Sequence, residues 1–133
     1  SRDPSTVSVS SLEAMIKDGG AVKAAEMMLD NGNIFPAFLE LLVHQKWPVR
    51  LAAMVTFETI AEKNQSLIRH AVPFLWNAFS GAEDTVKGDI LYLFGISGDT
   101  RLILKLETVL NGPYAVEVKE AAEEALGALN EKT

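Results

Sequence analysis

The sequence predicts an all-α protein, on three observations. From Ser10 onward apolar residues recur at three- and four-residue spacing. No stretch keeps the alternation of a half-buried strand. The interruptions are clusters of glycine, asparagine and proline, which end helices. These breaks fall at Gly19-Gly20, Asn31-Gly32-Asn33, Gln45-Lys46-Trp47-Pro48, Asn64-Gln65-Ser66, Ser80-Gly81, Gly98-Asp99 and Asn111-Gly112-Pro113. They divide the chain into about eight helices, near residues 10–17, 20–31, 34–44, 48–63, 66–79, 84–96, 99–110 and 115–130.

Taken in order, residues 1–9 form a polar, serine-rich lead that reads as a linker or disordered segment, and residues 10–133 as one helical domain, an arrangement that suits a piece of a longer protein. Pro36 falls in the first turn of its helix, where a missing N–H costs little. Pro73 falls later and should kink its helix or restart it. The helix over 48–63 is apolar from Val49 to Val55 apart from Arg50, and Val72 to Phe79 is apolar apart from Asn77. Helices so apolar need neighbours on most sides. The last helix instead sets Val118, Ala121, Ala122, Ala125, Leu126 and Leu129 on one stripe, with Glu117, Glu120, Glu123 and Glu124 off it.

Composition excludes several function classes. The chain has 133 residues, 48% of them hydrophobic and 23% charged, a net charge of −6 and no cysteine. That suits one soluble domain and leaves no disulfide, thiol nucleophile or cysteine-ligated metal. No apolar run approaches the roughly 20 residues of a membrane span, and no secretory signal opens the chain, so the expected compartment is the cytoplasm. Residues 1–45 carry −3, residues 46–97 are neutral and residues 98–133 carry −3. No segment is basic enough to follow a phosphate backbone.

The helices repeat. Ile34–Leu42 followed by Val49-Arg50 parallels Ala71–Phe79 followed by Val86-Lys87. In both, a proline precedes the Val-basic pair by the same 13 residues, and the two units lie 37 residues apart. Val118-Lys119 marks a third unit, with Lys105 where proline would fall, and Val22-Lys23 a degenerate fourth. Helical pairs repeated at this period predict an α-solenoid, a right-handed superhelix of three to four hairpins in which each pair shields the next.

These units resemble the HEAT repeat family, and Leu93-Phe-Gly95-Ile-Ser-Gly98-Asp99-Thr-Arg101 with Val118–Leu129 is similar to its bacterial, phycobilisome-lyase-type branch. The resemblance covers about residues 33–130, and 10–32 weakly. Two features depart from the family pattern: Lys46 replaces the acidic turn residue before Trp47, and Glu26 falls at a core offset. A fainter resemblance links the chain to helical extensions that follow thioredoxin-like domains in bacterial proteins. The family resemblance implies a fold and places the concave surface on the second helices.

Motifs for chemistry are absent. His44 and His70 lie on different helices without metal-ligand spacing, so both read as surface side chains. Ser66, Ser80 and Ser97 lack a nucleophile elbow, and Gly95-Ile-Ser-Gly98-Asp99 reads as a helix-to-helix turn, not a phosphate loop. Glu120, Glu123 and Glu124 read as a solvated face. No enzyme activity, cofactor or small-molecule substrate is expected.

Counted from the valine of each Val-basic pair, offsets 2, 5, 6 and 9 point away from the core. They are Leu51, Met54, Val55 and Glu58 in the first unit. The second has Gly88, Leu91, Tyr92 and Gly95, and the third Glu120, Glu123, Glu124 and Gly127. Leu51, Met54, Val55, Glu58, Leu91 and Tyr92 are therefore the candidate contacts for a protein or peptide partner, with internal packing as the alternative. Trp76 is expected in the core and Trp47 as a half-exposed lid. Asp89, at the core-edge offset held elsewhere by Ala52 and Ala121, needs a partner. It is expected to pair with Arg50 in an inter-repeat ladder that Lys87 and Lys119 continue. The expected function is a scaffolding module; the alternatives are a nucleic-acid-binding or repair protein and a tetrapyrrole lyase or chaperone.

Overall fold

A computed structural model describes residues 6–133, and among them every regular element is helical. The helices are α1 (Val9–Met15), α2 (Ala21–Asn31), α3 (Pro36–Leu42), α4 (Trp47–Lys63), α5 (Gln65–Ile68), α6 (Val72–Phe79), α7 (Asp84–Ser97), α8 (Ile103–Leu110) and α9 (Val116–Asn130). The chain falls into two compact units, one ending at Leu75 and one spanning Trp76–Thr133, with α6 running across the boundary.

In the first unit structure begins before the expected residue 10. Val7 is buried, and the Ser8 hydroxyl accepts a hydrogen bond from the Ser11 N–H at 3.1 Å, capping α1. Residues 7–9 thus belong to the fold and not to a linker; residues 1–5 of the proposed lead lie outside the described residues. A π-helical turn over Ile16–Gly20 joins α1 to α2 and breaks at Asp18 and Gly19. At the end of α2, Gly32 takes φ 69°, a left-handed backbone that glycine adopts without a Cβ clash. Its N–H reaches the Met28 carbonyl at 2.9 Å, and the Asn33 N–H shares that acceptor. Helices α2 and α3 pack on α4 around Met28, Phe38, Leu41, Ala53, Phe57 and Ile60, all fully buried. Asn64 then ends α4 and caps α5, its side chain accepting from the Leu67 N–H at 3.0 Å.

Pro73 restarts its helix, as its place in the pattern required. A 3₁₀ turn over Arg69–Ala71 separates α5 from α6, so the proline falls in the first turn of the new helix. The Val72 N–H satisfies the Arg69 carbonyl, which a proline nitrogen could not do.

In the second unit α9 packs along α7 and against α8. Trp76 stacks on Phe79 with centroids 5.7 Å apart and lies 6.2 Å from Phe94, while Phe79 meets Tyr114. Trp76 is only half-buried, with the Lys105 ammonium 4.9 Å above its ring, so it edges the core instead of filling it. Of the Gly95–Asp99 segment, expected as a turn, Gly95–Ser97 still belong to α7 and the turn begins at left-handed Gly98; the Ser97 hydroxyl donates to the Phe94 carbonyl while accepting from the Asp99 N–H. Buried Asp99 accepts from the Arg101 backbone and from its guanidinium at 2.9 and 2.8 Å.

Candidate interaction surface

Helices α4, α7 and α9 share one burial pattern. At offsets 0, 4, 7, 8 and 11 from Val49, Val86 and Val118 every side chain is buried. At offset 3, Ala52, Asp89 and Ala121 are all half-buried, the core edge anticipated for Asp89. Val22 breaks the pattern. It is 55% exposed while Ala24, Ala25 and Met28 carry the buried face of α2, so Val22-Lys23 is not an equivalent marker. Glu26 is accordingly exposed, not a core residue.

The basic residue at offset 1 has a defined role in two of the three helices. The Arg50 guanidinium, 4% exposed, donates to the His44 carbonyl at 2.7 Å and to that of Gln45 at 3.4 Å. The Lys87 ammonium, 9% exposed, donates to the Ala82 carbonyl at 2.6 Å and to that of Ser80 at 3.4 Å. Each cation folds back onto the carbonyls that follow the preceding helix, which a helix C-terminus leaves without intrahelical partners. Each also lies over an aromatic ring, Arg50 at 5.2 Å from Trp47 and Lys87 at 5.7 Å from Phe79. Both stitch a turn to the helix that follows it. Lys119 is half-buried.

Of the expected open face, part is open and part is not. Leu51, Val55 and Tyr92 are exposed at 43%, 42% and 44%, whereas Met54 and Leu91 are buried at 6% and 0%. Met54 and Leu91 are therefore core residues, not surface contacts. Both sit at offset 5, four residues after Arg50 and Lys87 on the same side of their helices. Glu58 is half-buried, and Trp47 extends the exposed stripe of α4 backward as Trp47, Leu51, Val55. So α4 is less crowded than its apolar sequence implied.

On the second unit the open face forms a groove of about 320 Å³ between α7 and α9. Gly88, Tyr92, Gly95 and Ile96 line one side, and Ala121, Glu124, Ala125 and Ala128 the other. Gly95 lets the helices approach: a Cβ there would stand 3.3 Å from the Ala125 Cα. The face reading supplied Gly88, Tyr92, Gly95 and Glu124. Ile96 and Ala128, at offset 10, were not anticipated, and Ala125 was expected in the core and Ala121 at its edge.

His44 is half-buried, with Nε2 3.8 Å from Glu13 and Nδ1 accepting from the Lys46 N–H, and His70 is exposed. Among the described residues no group of three or more acidic or histidine side chains could hold a metal ion, and no helix is long and apolar enough to cross a membrane. No family model matches the chain, and no curated protein or solved structure matches it either.

Proposed function

We propose that this chain is a non-catalytic interaction module that offers outward helix faces, that of α4 in the first unit and those of α7 and α9 in the second, to a protein or peptide partner. One observation carries the reading. Three helices bury the same offsets and all expose offset 6, and on α4 and α7 the uncovered side holds half-exposed Leu51, Val55 and Tyr92. Apolar side chains left uncovered at corresponding positions of a helix face are what a partner surface requires. The same equivalence, with the matching roles of Arg50 and Lys87, favours a solenoid of HEAT-like hairpins, shorter by the unit that Val22 does not mark. Nucleic acid is a weaker reading, because Arg50 and Lys87 are buried on carbonyls while Glu120 and Glu124 stand exposed. A tetrapyrrole lyase or chaperone rests on the sequence resemblance alone.

The test is photo-crosslinking from an unnatural side chain at Val55 or Tyr92, with Leu104 on α8, 75% exposed, as the control. Both face positions should yield adducts with the same partner, and position 104 none. Identical adducts from all three positions, or loss of the fold in Leu51→Glu and Tyr92→Ala, would refute an interaction face.

A further inference from the structure

The net charge is not shared between the units. Residues 76–133 hold five lysines and arginines against ten aspartates and glutamates, for −5, and residues 1–75 hold seven against eight, for −1. Nearly all the acidity of the protein therefore lies in the unit that carries the α7–α9 groove. Three of its five cations are engaged within the unit: Lys87 is bonded to two carbonyls, Arg101 to Asp99, and Lys105 lies over Trp76.

On α9 the carboxylates follow the groove. Glu124 lines it, and Glu117, seven residues earlier, is on the same stripe of the helix; both are exposed. Lys119 lies round the helix from that stripe. The floor between the helices is apolar and built from small residues, and the Gly88 Cα faces open space: a Cβ added there would meet nothing within 4 Å. The groove thus has room at Gly88, an aromatic wall at Tyr92 and an anionic rim at Glu117 and Glu124.

We infer that the occupant of this groove is a cationic amphipathic peptide segment. It seats apolar side chains between Gly88, Tyr92 and Ala125 and sets lysine or arginine on Glu117 and Glu124. The inference rests on the interaction-face reading and adds the chemistry of the partner. An anionic or nucleic-acid partner would meet like charge here, and an uncharged one would leave the rim carboxylates unused.

The probes are a helical peptide of about 18 residues made of lysine, leucine and alanine, and its counterpart with glutamate for lysine. Each is titrated into the whole chain while backbone amide shifts are followed. The lysine peptide should bind, shift Gly88, Gly95, Ala121 and Ala128, and weaken as salt rises from roughly 50 to roughly 500 mM. Two variants separate binding from folding. Gly88→Trp fills the groove where space is open, and Glu124→Lys inverts the rim while placing a lysine four residues after Glu120, an arrangement favourable to the helix. Both should keep the wild-type melting temperature or exceed it, with affinity lower by about tenfold for Gly88→Trp and about five- to tenfold for Glu124→Lys.

Equal affinity for the glutamate peptide, blocked by Gly88→Trp, would overturn the charge assignment and leave the interaction face standing. Lysine-peptide binding that ignores both variants, or shifts confined to other helices, would overturn the groove as its site. Failure of both peptides to bind would overturn the proposal, and the crosslinks from Val55 would then decide the face reading separately.

Discussion

Arg50 shows how one side chain serves two purposes that a hydropathy pattern does not separate. Its position in an apolar run marks it as unusual, and its bonds to the His44 and Gln45 carbonyls explain why a cation is tolerated at 4% exposure. Arg50→Met keeps the apolar stem and removes the donors. It should cost about 1–3 kcal/mol in a urea titration. Arg50→Lys should recover part of that loss, because Lys87 makes the same kind of contact with an ammonium. Equal stability of all three proteins would show that the bonds contribute nothing. The Arg101–Asp99 pair differs in setting. The hydrogen bond to Asp99, and then its charge, hold the Arg101 guanidinium above its ordinary range. Its contribution is complete at neutral pH and is lost only as pH rises through that raised value, so no pH dependence near neutrality comes from Arg101. The burial of Met54 and Leu91 belongs to this scale too. Their residue type says nothing about it, since Leu51 and Val55 on α4 are equally apolar and exposed.

At the scale of the element, the two glycines of α7 that line the groove should respond with opposite sign. Gly88→Ala adds a methyl into open space and improves helix propensity, which should stabilise the protein by up to about 1 kcal/mol. Gly95→Ala gains the same propensity but presses its Cβ to 3.3 Å from the Ala125 Cα, a backbone atom that moves only if α9 moves. The net effect should be a loss, read as a lower melting temperature than that of Gly88→Ala by several degrees. Two variants that melt together would mean that α7 and α9 do not depend on the close approach at Gly95. Element limits were largely legible in the chain, because caps and breakers act locally. Gly32 stops α2, Asn64 separates α4 from α5, and Pro73 restarts α6. The Val-basic marker was local as well, and it failed at Val22 because the apolar stripe of α2 is set by Ala24, Ala25 and Met28.

For the molecule as a whole, the uneven charge carries a consequence for stability. Glu117, Glu120, Glu123 and Glu124 are exposed on one helix, several of them three or four residues apart, so like charges repel within α9. Salt screens that repulsion. Amide exchange should therefore slow with added sodium chloride more strongly in residues 116–130 than in α2–α4. A uniform response along the chain would contradict the account.

The helical class, nearly every helix boundary and the common register of α4, α7 and α9 could be read from the chain, since a 3.6-residue period, a cap and a proline are written in neighbouring residues. How far burial wraps round each helix could not. Leu51 and Met54 are both apolar residues outside the main stripe of α4, yet one is exposed and the other enclosed. That difference depends on how near another backbone comes. Such distances are set by side chains far away in the chain, as the approach of Ala125 to Gly95 shows, and periodicity along one helix carries no record of them.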